Sequence, residues 1–176
     1  MYKDKVEVTA RPKEVIRITN RAAEAIATQA IEYGGKEGEN QEEKEFRMIL
    51  GLLGGKLSDE HIFIKDAYLL ALGDKTSVDP NREDSAKKYI NFYKKIRAER
   101  CFLTGWYLSL PNTGIFFNRT NYETQKRYQQ LFSRSVAIII YPESYTSVPF
   151  WELMKVYRLK EDLSEKWIEL DFEIIE

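Results

Sequence analysis

Residues 101–132 read CFLTGWYLSLPNTGIFFNRTNYETQKRYQQLF, and this stretch decides the fold. Its apolar beginning, CFLTGWYLS, predicts a buried strand in which Gly105 marks a close backbone approach or a bulge. A loop with turn-forming proline, asparagine and glycine residues follows. Thr120, with Glu123 three residues later, then predicts a capping box and a helix that extends to about residue 133. The stretch is therefore a strand, a loop and a helix in succession.

The remaining segments of the chain add more strands than helices. Apolar residues at helical spacing predict two further helices, over residues 20–33 and 83–100. The inner face predicted for the helix of the first stretch comprises Gln125, Tyr128, Leu131 and Phe132. Runs of apolar or alternating residues predict strands around Val6–Val8 and Val15–Ile18, and over 46–54, 61–72, 136–140, 151–159 and 167–175.

This order of elements predicts an α/β (α+β) fold in which helices flank a mixed, curved central β-sheet in three layers. The strands are too numerous for a strict βαβ array, which favours a mixed sheet. We expect residues 1–176 to form a single domain, because the length is typical of one. Residues 160–176 carry 7 acidic and 2 basic side chains. They are predicted to form a C-terminal acidic strand extension, whose charge either marks a solvated outer face or protects an edge from pairing.

The composition excludes several functional classes. Lys and Arg total 27 and Asp and Glu total 28, so a net charge of −1 lacks the basic excess typical of nucleic-acid-binding proteins. The only cysteine, Cys101, cannot form an intramolecular disulfide. Together with the only histidine, His61, it leaves few of the side chains that zinc sites use. We therefore expect no metal and no cofactor.

The sequence also predicts where the protein resides and what it does not bind. The N-terminal residues MYKDKVEV lack the basic and apolar regions of a signal peptide. No apolar run approaches the ~20 residues of a membrane span, so we expect a cytoplasmic protein without a membrane partner. The helix over 83–100 is the most basic segment. Because no aromatic platform or binding motif accompanies that charge, a solvated helix face is favoured over nucleic-acid binding.

The opening stretch resembles the signature of the MPN (Mov34/JAB) domain family. That signature is G-W-[YF]-H-[ST]-H-P, an aromatic-rich turn, S-x-x-D, and a helix with T-Q-x-x-[YF]-Q. The corresponding residues here are GWYLSLP at 105–111, GIFFN at 114–118, Asn121, and TQKRYQ at 124–129. Further segments agree in the family's order, so that the resemblance covers about residues 13–159: VIRI at 15–18, MILGLLG at 48–54, VAIIIYP at 136–142 and VYRL at 156–159.

The resemblance implies a site whose functional groups have been replaced. Active members of the family are zinc metalloproteases, mostly isopeptidases that remove ubiquitin or ubiquitin-like tags. In their motif E…H-x-H-x7-S-x2-D, two histidines and the aspartate bind zinc, the glutamate is the general base, and the serine supports the oxyanion. The matching positions hold Met48 for the base, Leu108 and Leu110 for the histidines, and Asn118 and Asn121 for the serine and aspartate.

The framing residues Ser109 and Pro111 persist, and so does the spacing of the motif. Leucine cannot ligate zinc, and a neutral amide is a poor replacement for a carboxylate. The resemblance therefore implies a metal-free, non-catalytic member of the family. We expect Leu108 and Leu110 to fill the vacated pocket with apolar volume, the alternative being contact with a partner. The two asparagines are expected to cap the following helix or to satisfy backbone groups.

By resemblance, such a domain serves as a scaffold or regulatory partner, and we expect it to dimerise with another MPN protein, either a second copy or a different chain. The alternative is a binding module that holds a ubiquitin-like or peptide tail in the vestigial groove. A further alternative is an enzyme of unrecognised chemistry. The candidate interaction residues are Trp106, Pro111, Phe150 and Trp151.

Overall fold

The computed structural model describes residues 14–34, 46–58, 60–81, 84–145, 147–161 and 164–176. The strand predicted around Val6–Val8 lies outside the described residues. Strands and helices follow one another as β1 (Ile16–Thr19), α1 (Asn20–Gly34), β2 (Ile49–Ser58), β3 (His61–Leu72), α2 (Ser85–Ala98), β4 (Phe102–Ser109), α3 (Arg119–Leu131), β5 (Val136–Ile140), β6 (Met154–Leu159), β7 (Trp167–Leu170) and β8 (Phe172–Ile175).

All of these strands belong to one mixed sheet, in the order β7-β6-β5-β4-β2-β3-β1-β8. β4 pairs in parallel with β5, and β1 pairs in parallel with β3 and β8. The remaining neighbours are antiparallel. β7 and β8 lie at opposite edges although Asp171 alone separates them along the chain. The sheet is therefore curved until its two edges nearly meet, as the predicted curvature requires.

The prediction of one continuous strand over 167–175 is wrong. Residues 167–170 pair with β6, whereas residues 172–175 pair with β1 at the far edge. Asp171, between them, accepts a hydrogen bond at its carbonyl from the Ile16 backbone N–H at 3.0 Å. Apolar and polar residues do alternate along the whole run, but its two halves pair at opposite edges of the sheet.

Helices cover both faces of the sheet, which confirms the predicted three layers. α1 packs on one face through small and aliphatic residues such as Ala22 and Ile26, while α2 packs on the other through Phe92 and Ile96. Tyr128 of α3 packs on the same face as α2. β5 is buried on both sides, because helices cover both faces of the sheet there. Alternate residues of a strand point to opposite faces. The residues of β5 divide between Val136, Ile138 and Ile140 toward α1 and Ala137 and Ile139 toward α2 and α3.

The predicted close approach at Gly105 is confirmed. A Cβ atom at this position would lie 2.0 Å from the carbonyl oxygen of Val136 on β5, so any side chain would push the two strands apart. The pairing of β4 with β2 also shifts register here, because Leu53 lies opposite Gly105 and Gly54 lies opposite Leu103. The glycine therefore permits both the tight β4–β5 contact and the bulge.

Some predicted boundaries are corrected. β2 begins at Ile49 and continues through Gly54 and Gly55 to Ser58, because β3 pairs with it as far as His61. The alternating stretch 151–159 begins instead with a 3₁₀ turn, Phe150–Leu153, and only Met154–Leu159 is a strand. Pairing with a neighbour, rather than local composition, determines where each strand ends.

The three helices follow their predicted positions, but α3 differs from the prediction at both ends. Its N-cap is Asn118, whose side-chain oxygen accepts from the Asn121 N–H at 2.9 Å, so the capping box at Thr120 is wrong. At the other end Leu131 is 77% exposed, and Gln129 takes the predicted inner place. Within the described ranges, none of the helices combines the length and apolar composition that crossing a membrane needs.

Candidate functional site

A pocket of about 470 Å³ opens between the end of β4, the N-terminal turn of α3 and the loop over 75–80. We call it the front pocket. Every position that the resemblance assigns to a zinc ligand, the base or the oxyanion-supporting group lines it: Met48, Leu108, Leu110, Asn118 and Asn121. The fold thus brings together residues that are up to 73 positions apart in the sequence, as the preserved spacing predicts.

The floor of the front pocket is apolar and closely packed. Leu108 and Leu110 are 2% and 3% exposed, and they share a side because residues two apart on an extended strand do so. Leu50 on β2 lies directly opposite Leu108 in the sheet. Met48 precedes β2, and its backbone N–H and carbonyl bond to Asp74 and Gly73 of the neighbouring loop. Four aliphatic or thioether side chains therefore occupy the base of the site.

Both asparagines of the pocket wall use their side chains to hold local backbone. Asn118 caps α3 with its oxygen and donates its amide to the Ile115 carbonyl at 2.9 Å. Asn121 is 8% exposed and donates its amide to the Phe116 carbonyl at 2.8 Å. These bonds fix the turn before α3, as the expectation of capping and backbone roles requires. Each asparagine thereby gives one of its two amide N–H donors to the backbone.

The framing residues have separate structural roles. Ser109 is fully buried and points away from the pocket, where its hydroxyl accepts from the Ile49 N–H at 2.9 Å and ties β4 to the start of β2. Pro111 is half-buried at the pocket edge. Gly114, also on that edge, donates its N–H to the Pro111 carbonyl at 2.7 Å and closes the turn. The loop beyond β4 is therefore ordered by hydrogen bonds rather than by a ligand.

The opposite rim of the pocket is a loop that the sequence analysis did not assign to the site. The carboxylate of Asp74 accepts from the backbone N–H groups of Thr76 and Ser77 at 2.7 and 2.9 Å. These hydrogen bonds hold the pKa of Asp74 below its ordinary value, because they stabilise the ionised form. Among the described residues that line the pocket, Lys75 alone carries a charged side chain. An aspartate followed two residues later by threonine and serine is a signal that could have located this turn.

The side chains of the front pocket do not fit a zinc ion. Zinc in proteins takes imidazole, thiolate or carboxylate ligands, and the five positions supply two hydrocarbon side chains, a thioether and two amides already engaged with backbone. Elsewhere in the described ranges, no cluster of three or more His, Cys, Asp or Glu side chains could hold a metal. Cys101 is 8% exposed and packs in the core beside α2.

Behind the pocket, the second half of α3 is tied to the sheet by buried amides. The indole N–H of Trp106 donates to Gln125 at 2.7 Å, and the Gln125 amide donates to Gln129 at 2.7 Å and to the Ser135 carbonyl at 2.8 Å. Gln129 completes the chain of bonds by accepting from the Leu159 N–H at 2.8 Å. The spacing of the helix predicts Gln125 on the inner face but not Gln129, because polarity alone favours the surface.

The structure separates the four candidate interaction residues. Trp106 is fully buried in the network just described and has no surface that a partner could contact. Trp151 is 49% exposed, while its neighbour Phe150 packs partly against the core. Pro111 lies on the rim of the front pocket and Trp151 lies in the 3₁₀ turn before β6, so the four do not form one surface.

The curved mixed sheet with three flanking helices, and the front pocket at the end of β4, define an MPN-type fold. The sequence model of the family described as JAB1/Mov34/MPN/PAD-1 ubiquitin protease matches residues 15–134. The chain therefore belongs to this family, as the resemblance at 101–132 predicts.

Curated relatives are matched over part of their length. The 26S proteasome non-ATPase regulatory subunit 14 of Dictyostelium discoideum is 29% identical over 96 residues, covering 53% of this chain and 31% of that protein. The COP9 signalosome complex subunit 5b of Arabidopsis thaliana is 32% identical over 98 residues, covering 53% of this chain and 27% of that protein. The matched region spans less than a third of either relative.

A solved structure shows the same fold over nearly the whole chain. The solution structure of protein DSY2949 from Desulfitobacterium hafniense superimposes with a TM-score of 0.57 and 16% sequence identity. The match covers 92% of this chain and 94% of that one. At this identity the likeness concerns the fold.

Proposed function

We propose that this protein is a non-catalytic, metal-free MPN domain that acts as a scaffold or regulatory partner of another protein. One observation carries the proposal: Met48, Leu108, Leu110, Asn118 and Asn121 meet in one pocket, at the places where the family resemblance positions the catalytic groups.

Hydrolysis by a zinc-bound water requires three conditions in the same place. The metal needs protein ligands, a vacant position for water, and a base that takes the proton. Two leucines at the histidine positions remove ligands, and the thioether of Met48 is not a base at neutral pH. The amide of Asn121 already donates to the Phe116 carbonyl, so its replacement of a carboxylate serves the fold. Together these replacements remove the ligands and the base that zinc-dependent hydrolysis requires.

The scaffold role is supported by the protein complexes to which the relatives belong. Both relatives described above are named as subunits, one of the 26S proteasome and one of the COP9 signalosome complex. Because this chain shares their domain, a protein partner is the natural role for a copy without catalytic groups. We propose dimerisation with a second MPN chain as the form that this partnership takes.

A zinc and activity measurement tests the non-catalytic proposal. The purified protein is incubated with zinc, desalted and analysed for bound metal, and is assayed on a ubiquitin chain. We expect no stoichiometric zinc and no cleavage. One zinc per chain together with cleavage that a chelator abolishes would contradict the proposal.

A restored variant supplies the positive control. It carries Met48→Glu, Leu108→His, Leu110→His, Asn118→Ser and Asn121→Asp, and we expect it to bind about one zinc, because the backbone spacing of the motif is intact. A matched variant that keeps both leucines and carries the other three substitutions should bind none. Circular dichroism verifies that each variant is folded, since buried leucines are replaced.

The partnership is tested separately. Light scattering of the protein, alone and mixed with an MPN protein that has an intact zinc motif, should show a dimer in at least one sample. A strict monomer in every mixture, and no capture of an MPN protein from the native cell, would overturn the scaffold role.

The second candidate function is binding of a ubiquitin-like or peptide tail in the front pocket. It is favoured by the retained volume of about 470 Å³ and by the apolar floor, which suits aliphatic side chains. Titration of labelled protein with a ubiquitin-like protein should then shift resonances within residues 105–121. Shifts confined to other parts of the molecule would reject this candidate.

A further inference from the structure

A second, smaller groove of about 200 Å³ opens between α2 and α3, and we call it the side groove. Tyr89 and Tyr93 of α2 line it from one side, and Tyr128 and Leu131 of α3 line it from the other. Leu103 of β4 is also part of its lining. The side groove shares Leu50, Pro80 and Thr124 with the front pocket, but none of the five replaced catalytic positions lines it.

Large apolar side chains stand exposed around the side groove. Leu131 is 77% exposed and Tyr93 is 41% exposed, although both line the groove. Ile90, three residues before Tyr93 and therefore on an adjoining part of the same helix face, is 56% exposed. Single exposed apolar residues are common on proteins, but a cluster beside a concave surface is typical of a binding site.

The two helices that form the groove are strongly basic. α2 contains five basic residues and no acidic one, and α3 contains three basic residues and one acidic. The whole chain has a net charge of −1, so this positive charge is local. Lys95 is engaged by Asp66, but in the described part of the chain Arg97 and Arg127 form no ion pair. Arg127 lines the groove itself.

We propose that the side groove binds an acidic protein segment that carries aliphatic side chains. The aliphatic side chains would fill the apolar groove between the tyrosines and Leu131, while carboxylates beside them would meet Arg127 and Arg97. Complementary charge accelerates and orients such an encounter, and buried apolar area supplies most of the affinity.

The lining favours a protein segment over a nucleic acid. A nucleic acid would satisfy the positive charge, but it has no aliphatic side chain to place against Leu103 and Leu131. The ring of Tyr128 stacks on that of the buried Trp106, and the rings of Tyr89 and Tyr93 stack on each other, with centroids 6.2 and 6.4 Å apart. The three tyrosine rings of the groove are therefore already engaged in ring contacts within the protein.

Fluorescence anisotropy with a defined probe tests this inference on the full chain. The probe is a short fluorescein-labelled peptide of glutamate and leucine residues. Two control peptides replace all glutamates by lysine or all leucines by serine. We expect saturable binding of the first peptide, weakening as salt increases, and a loss of at least about tenfold for either control peptide.

Matched protein variants locate the site. Leu131→Asp and Arg127→Glu should each weaken the first peptide at least about fivefold, since one removes apolar area and the other reverses a groove charge. Leu57→Asp and Lys65→Glu make the same chemical changes at exposed positions outside the groove, and should alter affinity less than twofold.

Three results would overturn the inference. The first is no binding of the glutamate–leucine peptide, or equal weakening by the groove and control variants. The second is tighter, salt-dependent binding of single-stranded RNA at the same residues. The third is a dimer by light scattering that Leu131→Asp dissociates, which would assign the groove to a second copy of this chain. None of these measurements depends on zinc content or ubiquitin cleavage, so they can fail while the proposed function stands.

Discussion

Both ends of α3 carry carboxamide side chains, but these side chains have different structural roles. At its C-terminal half, Gln125 and Gln129 are buried amides that join the helix to β4, β5 and β6 through hydrogen bonds. At its N-terminal turn, Asn118 and Asn121 hold only the local backbone and border an open pocket with an apolar floor.

The difference separates amides that join α3 to distant strands from amides that border the front pocket. A buried amide whose partners belong to other strands is costly to replace, since every partner would lose its hydrogen bond. An amide whose partners lie in the neighbouring turn affects only that turn when it is replaced. The C-terminal half of α3 should therefore contribute more to the stability of the fold than the N-terminal turn does.

Removing the amide at the buried end should produce the largest effect. Gln125→Leu would leave the Trp106 indole N–H without a partner and would remove the donor to Gln129 and the shorter of two hydrogen bonds to the Ser135 carbonyl. We expect a loss of about 4 kcal/mol in the free energy of unfolding. Urea denaturation measures it. Gln130→Leu, on the exposed side of the same helix, is the matched control and should change stability by less than about 0.5 kcal/mol. Equal effects of the two would contradict the distinction.

Just beyond the buried end of α3, a carboxylate supplies a pH-dependent contribution. Glu14 pairs with Arg134 and Arg158 at 2.7 Å each. Burial disfavours its charged form, but the hydrogen bonds and charges of Arg158 and then Arg134 outweigh that effect and hold the pKa of Glu14 below its ordinary 4.5. A lowered folded-state pKa stabilises the protein above the ordinary pKa and loses that contribution as the pH falls.

Glu14→Gln should therefore cost about 3 kcal/mol at neutral pH, since it leaves two partly buried cations without their partner. The difference from the wild type should shrink between about pH 5 and pH 2, as the wild-type carboxylate becomes protonated. Urea titrations at several pH values measure this, with the exposed Glu32→Gln as control. A difference that stays constant with pH would show that the pair is not the source of the stability.

The smallest effect is expected at the pocket end. Asn118→Ala removes the N-cap of α3 and the bond to the Ile115 carbonyl, and should cost about 1 kcal/mol. Asn118→Ser retains a capping oxygen and should recover most of that loss. A loss as large as that of Gln125→Leu would mean that both ends of α3 carry the fold equally, and the comparison would fail.

Periodicity predicted most elements because their patterns depend on local chemistry. The buried strand over 136–140, the strand over 61–72 and the three helices were visible as runs of apolar residues with a recognisable spacing. The five pocket positions were also found from sequence, since the motif spacing survives although its residues have changed.

The features that the sequence did not predict share a physical cause, which is that they depend on hydrogen bonds and packing with residues distant in sequence. Thr120 and Asn118 are both acceptable N-caps, and the turn before the helix decided for Asn118. Leu131 has the apolar character of an inner residue, yet Gln129 is buried because the Leu159 N–H and the Gln125 amide satisfy it. The rim loop over 75–80 joined the pocket through the backbone of Met48 and Asp74, which no local pattern encodes.

The sequence by itself determined the class of fold, the order of most elements, and which five positions correspond to the family motif, because each follows from residue type and spacing. Tertiary structure alone decided that the run over 167–175 serves both edges of one curved sheet, and that the buried end of α3 is polar. Pairing and burial depend on which distant groups arrive at the same place, and only the folded chain brings those groups together.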